Sequence, residues 1–317
     1  MLSLFFSLLL STQALGSLVK TPHAQHTHLG PLQEDAELAL ALKKKITSDH
    51  TGITKSWTGN DICTFQGFNC STDPSTHQTV VLVDFNELEL DGKDLTLFGF
   101  LDKLRDTTIF HANGNGFRGG VPKLPPNLFE LDLSDNKLSG PFPETVLVPS
   151  LDFLDLRFNQ FHGPVPPKAF DLDVFALFLN NNKFSGRIPE NIGSSPAEFI
   201  NLANNKLSGS IPRSLGRSEW LQEFLVLNNQ LSGPLPTEWT STNLTAFDVS
   251  YNALTGQVPE ALCQLENIQI INLSHNHFNG TLGPACTKLV SEKVLDISNN
   301  CIKGAKNQKH ASSCKGK

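Results

Sequence analysis

The stretch NNNKFSGRIPENIGSSPAEFINLANNKLSGSIPRSLG, residues 180–216, says one phrase twice. NNKFSGRIP, starting at Asn181, returns 23 residues later as NNKLSGSIP, with asparagine, glycine and proline in the same places. Working outward, FHANGNGFRGGVP carries Asn115, LDLSDNKLSGPFP carries Asn136 and LDLRFNQFHGPVP carries Asn159. The series continues through Asn182, Asn205, Asn229, Asn252, Asn276 and Asn300, and after one step of 21 residues the spacing is always 23 or 24. An opening turn, VDFNELELDG, fits less regularly, with Leu88 in the asparagine slot and Gly92 in the glycine slot. Self-similarity at this period belongs to a solenoid, in which each repeat buries its apolar side against its neighbours.

The pattern LxLxxNxLxGxxP is that of the leucine-rich repeat, and it predicts an α/β solenoid of about ten turns over residues 81–304. In a triplet such as LDL the outer residues point into the core and the middle one into solvent, because strand side chains alternate. The asparagine stands where the chain leaves its strand, and its amide can satisfy backbone groups there. Glycine permits the following bend, and proline keeps the next segment extended. Both ends of such a stack need caps. Residues 17–80 supply a disordered start and an N-terminal cap, with a helix over about 34–46 that turns Leu38, Leu42 and Ile46 to one side. Trp57 is expected to pack in that cap. Residues 305–317 complete the C-terminal end as a cap and basic tail. Six cysteines permit fifteen pairings. The repeat register favours Cys63–Cys70, Cys263–Cys286 and Cys301–Cys314.

Residues 1–16, MLSLFFSLLLSTQALG, read as a secretion signal: a short apolar run ends in small residues, although no basic residue precedes it. No later stretch is long and apolar enough to span a bilayer, so an exported, soluble chain is expected. Sequons at Asn69, Asn243, Asn272 and Asn279, with the even cysteine count, agree with an oxidising secretory route and N-glycosylation. The net charge is −6, but residues 303–317 hold five lysines and no acid, leaving 20 basic against 31 acidic residues elsewhere. An acidic body argues against nucleic acid and for a basic protein or peptide partner. The lysine tail could touch anionic pectin.

LSGSIP and FSGRIP, with paired cysteines after a tryptophan, resemble the extracellular repeats of plant receptor kinases and polygalacturonase inhibitors. GNDICTFQGFNC, FHANGNGFRGGVP, LDFLDLRFNQFHGPVP and the terminal NNCIKGAKNQKHASSC look like the repeat domain of leucine-rich repeat extensins. That resemblance implies a plant cell-wall protein that binds small, basic, cysteine-containing peptides of the rapid alkalinization factor type and helps regulate wall expansion. Two features depart from the family. Its Ser/Pro-rich tail does not follow Cys314, so covalent insolubilisation is not expected, and Arg118, Ser210 and Pro234 stand where the family commonly has cysteines.

The solvent-pointing strand columns are the candidate binding residues. The middle column includes Asp132, Asp155, Phe178, Asn201, Leu225, Asp248 and Asn272. The column two residues earlier includes Phe153 and Phe199, and the column two later includes Arg157, Asn180 and Leu227. Apolar side chains gathered on a wet face with an acidic rim would suit a basic peptide. A glycan on Asn272 would block that face locally, which moves the expected partner to earlier turns. No GxSxG, HExxH or phosphate-binding glycine loop occurs, so neither catalysis nor a cofactor is expected. His23, His26 and His28 fit a disordered terminus better than a metal site. Inhibition of secreted polygalacturonases and a purely structural wall role are the alternatives.

Overall fold

The computed structural model describes residues 32–71, 79–240 and 243–314. The expected signal at 1–16, the three histidines at 23, 26 and 28, and Lys315 and Lys317 lie outside the described residues. Most LxL triplets contribute to a three-residue strand that starts one residue before the triplet, as in Glu130–Asp132, and these strands with the cap strand Phe68–Cys70 stack into an eleven-stranded sheet. The first pairing, Phe68–Cys70 with Val80–Asp84, is antiparallel, and every later one is parallel. The register runs Asp84–His111–Asp132–Asp155–Phe178–Asn201–Leu225–Asp248–Asn272–Asp296 along the outward column. One residue earlier, Phe110, Leu131, Leu154, Leu177, Ile200, Phe224 and Phe247 are all buried. The alternation of the sequence is therefore the alternation of core and solvent. Eight further parallel strands, from Arg118–Gly119 to His277–Phe278, form a second sheet just beyond the asparagines.

The asparagines tie one turn to the next. Asn136 Nδ2 donates to the Ala112 carbonyl at 2.7 Å while its Oδ1 accepts from the Phe117 N–H at 3.0 Å. Asn159, Asn182, Asn205, Asn229, Asn252, Asn276 and Asn300 repeat this inter-turn donation. The residue before each rung is left-handed: Asp135, Phe158, Asn181, Asn204, Asn228, Tyr251, His275 and Asn299 have φ between 48° and 56°. This sharp exit from the strand is a second conformational requirement, distinct from the glycine bend read from the sequence.

The helix runs Leu32–Lys43, earlier than the expected 34–46. Lys45 N–H and Ile46 N–H close turns onto Leu42 and Lys43, and Thr47 N–H then bonds Asp91 of the first turn, so the chain leaves the helix before Ile46. Ala36, Ala39 and Leu42 form its buried face, whereas Leu38 and Ile46 are only half-buried. Trp57 is fully buried; its Nε1 donates to the Gln66 carbonyl and its ring packs 5.4 Å from both Phe68 and Phe85. The three disulfides join Cys63–Cys70, Cys263–Cys286 and Cys301–Cys314, with Cα separations of 5.6, 5.0 and 5.7 Å.

Candidate functional site on the concave face

The outer face of the long sheet, the concave surface of such a solenoid, carries the predicted residues in the predicted columns. Phe153 and Phe178, in adjacent turns, meet edge to face with centroids 5.9 Å apart. Phe199 packs 5.0 Å from Phe175. Leu225 and Leu227 lie half-buried beyond them. The sequence reading missed Phe129, Phe175 and Trp220, which are 47%, 45% and 57% exposed. These three precede their strands, where alternation no longer assigns a face. The available signal was the spacing: Phe129, Phe153, Phe175, Phe199 and Trp220 give one aromatic per turn for five turns. Four steps of about 4.8 Å make the band about 19 Å long.

Carboxylates border this band: Glu130 and Asp152 on one side, Glu198 and Glu223 further along. Burial, then Glu130 and Asp173, raises the Asp152 carboxyl above its ordinary range. Burial alone does the same to Glu223. Burial would lower the His111 imidazole, but Glu130 at 3.0 Å, helped by Asp132 and Asp84, outweighs it and raises that group. Asp132 and Asp248 are half-buried, each accepting from the backbone two residues on. Asp155 differs from the expectation of an exposed rim acid. It is fully buried because Arg157 folds back over it, with Nε 2.9 Å from Oδ2 in an ion-pair contact that is not aligned as a hydrogen bond. Burial, then Asp132, pushes its carboxyl well up, against the pull of Arg157. The Arg157 guanidinium also lies 5.5 Å from the centre of the Phe178 ring. Asn180 is likewise buried rather than open, with its Oδ1 unpartnered. Asn201 is half-buried and accepts from the Ala203 N–H.

The four sequons differ in setting. Asn69 and Asn243 are exposed. Asn279 is half-buried. Asn272 sits in the sheet, donating to Asp248 Oδ2 at 3.1 Å and accepting from Ser274. Among the described residues no cluster of three His, Cys, Asp or Glu side chains could hold a metal ion, and no helix is long and apolar enough to cross a membrane.

The Leucine Rich Repeat family model matches residues 127–147, 197–218, 243–265 and 267–289, each covering a turn of the sheet just described. The fold is that of a plant-type leucine-rich repeat solenoid. Its repeats are similar to those of leucine-rich repeat extensin-like protein 1 of Arabidopsis thaliana, at 35% identity over 154 residues, 42% of this chain and 20% of that relative. The chain thus spans about a fifth of the length of that relative. Among solved structures, the PEPR1–AtPEP1 complex superposes with a TM-score of 0.73 at 25% identity, covering 85% of this repeat protein and 42% of that chain. The Arabidopsis HAESA ectodomain, solved with an IDA peptide hormone ligand, superposes with a TM-score of 0.54 at 25% identity, covering 86% of this chain and 54% of that one. The three disulfides of this repeat protein suit an oxidising, extracellular setting.

Proposed function

We propose that this repeat protein captures a small basic extracellular peptide on its concave face, over the turns from Phe129 to Trp220. A cysteine-containing peptide of the rapid alkalinization factor type is the candidate partner, and regulation of cell-wall expansion the candidate role. The observation that carries the reading is the aromatic band bordered by carboxylates, an apolar anchor strip with charge of one sign around it. Its length of about 19 Å matches about six residues of extended chain. The likeness to HAESA with its IDA ligand supports a peptide as the partner class. The acidic border would speed capture of a cationic ligand and make it salt-sensitive.

The test is calorimetric titration of the secreted protein with a folded peptide of that type at two ionic strengths. Saturable sub-micromolar binding that weakens with salt is expected. Phe178→Asp combined with Phe199→Asp should weaken it at least about a hundredfold, since anchors of this kind contribute about 2 kcal/mol or more each. A flat titration, or binding that survives the double substitution, would refute the proposal.

A further inference from the structure

Across the three outward columns of the long sheet, from Leu82 to Ser298, Arg157 is the single lysine or arginine. It lies against Phe178, the ring that meets Phe153 of the aromatic band, and is folded inward. Its guanidinium carbon lies 5.5 Å from the Phe178 ring centre and its Nε 2.9 Å from Asp155 Oδ2. A carboxylate beside an aromatic face is the pairing that receives a basic side chain. Asp132 and Asp248, in the same column, stay half-open, whereas Asp155 is sealed. Two acceptors here, Asp155 Oδ2 and Asn180 Oδ1, are buried without a hydrogen-bond donor. Asn180 lies two residues beyond Phe178, where the strand that pairs with that of Asp155 ends, and its backbone carbonyl accepts from the N–H of Phe158, the residue after Arg157. Unmet acceptors call for a donor-rich group, and a guanidinium carries five N–H donors.

We infer that Arg157 is an internal competitor: it occupies a subsite made by Asp155 and Phe178 that receives a guanidinium or ammonium group of the partner once Arg157 swings out. The inference deepens the peptide reading and rests on it for its biological use, while the chemistry of the subsite stands on these residues alone. Arg157 is suited to swing. Its side chain is 31% exposed, and among the described residues its guanidinium makes no hydrogen bond, ion pair or ring contact other than those two. An arginine of a partner would restore the same ion pair and the same ring contact, so exchange of one guanidinium for another leaves no buried charge unpaired. The free protein is thereby kept from presenting an open anionic pocket to every passing cation, and selectivity comes from the aromatic contacts that only a longer ligand makes.

The test uses ethylguanidinium as the probe, followed by saturation-transfer NMR on the full chain. Arg157→Ala vacates the subsite and should bind the probe saturably, about tenfold or more tighter than wild type, the factor set by the contacts Arg157 itself makes. Arg157→Gln, which keeps a polar cover over Asp155, guards against a folding failure and should also bind. Asp155→Asn added to either variant should abolish capture. Equal binding to wild type and Arg157→Ala, no saturable binding to either vacated variant, or indifference to Asp155→Asn overturns the inference. The basic peptide is titrated in parallel on the same proteins. Probe capture with a flat peptide titration refutes the peptide reading and supports the subsite, whereas peptide binding without probe capture refutes the subsite alone.

Discussion

The three asparagines at 180–182 are identical in sequence, and the structure gives each a different task, so truncating them in turn isolates what the ladder contributes. Asn182 Nδ2 donates to the carbonyls of Leu156, Leu179 and Asn180 at 2.9, 3.2 and 3.4 Å, and its Oδ1 accepts from the Phe161 N–H at 3.0 Å. Asn182→Ala leaves the Phe161 N–H buried without a partner and the Leu156 carbonyl with only the 3.3 Å bond from Asn159 Nδ2. An unpaired buried donor costs about 1–3 kcal/mol, so about 2 kcal/mol is expected in total. Asn182→Asp should cost at least as much, because it restores the acceptor but turns an oxygen toward the Leu156 carbonyl. Asn181 has φ of 56°, is half-buried and, among the described residues, makes no side-chain hydrogen bond like those of Asn182. Asn181→Gly should therefore change stability by only a few tenths of a kcal/mol, while Asn181→Val should cost about 1–2 kcal/mol from the left-handed backbone alone. Urea unfolding of the four variants, followed by circular dichroism, checks this order. An Asn182→Ala loss below about 0.5 kcal/mol, the lower end for a net hydrogen bond, would refute the ladder argument. So would equal losses at 181 and 182.

Other consequences are as specific. Gly216→Ala should destabilise by about 1–3 kcal/mol, because an added methyl overlaps the Glu238 carbonyl oxygen of the next turn, and thermal unfolding measures it. The raised Asp155 carboxyl favours the folded state fully below the unfolded carboxylate pKa and loses that contribution as pH rises through the higher folded value. Asp155→Asn should therefore become progressively more stabilising relative to wild type between acidic and neutral pH, and denaturant titration at several pH values would expose the opposite trend. Glycopeptide mass spectrometry of the secreted chain should find Asn243 occupied and Asn272 bare, since Asn243 is exposed with one bond to the Glu219 carbonyl, whereas Asn272 is half-buried in a sheet strand and bonded to Asp248 and Ser274. A glycan on Asn272 would close the later turns of the face.

The repeat register was legible because each signal is local and occurs nine times: Asn136 or Asn205 sits at a fixed distance from its LxL triplet, and one correct placement fixes all the others. The disulfides followed from the same register, with Cys263 and Cys286 one turn apart. The state of individual outward residues was not legible. Asp132 and Asp155 occupy the same slot in consecutive LDL triplets, yet one is half-open and the other sealed, because the deciding neighbours are Arg157 and Phe178 rather than anything in the triplet. Phe129, Phe175 and Trp220 escaped notice because a face can be read from alternation only inside a strand. The left-handed residue before each rung left a faint trace, since asparagine fills that place at 181, 204, 228 and 299, but Phe158 and Tyr251 adopt the same φ because the rung behind them holds the turn.

The aromatic band has a finer grain than one ring per turn. Phe129 and Phe175 share one register position and Phe153 and Phe199 another, and each pair is 46 residues apart, so like positions return only on every second turn. A partner shifted by a single turn would meet rings where it needs gaps and gaps where it needs rings. Slippage by one turn along an otherwise monotonous scaffold is thereby disfavoured, and a solenoid built from near-identical units acquires a two-turn ruler.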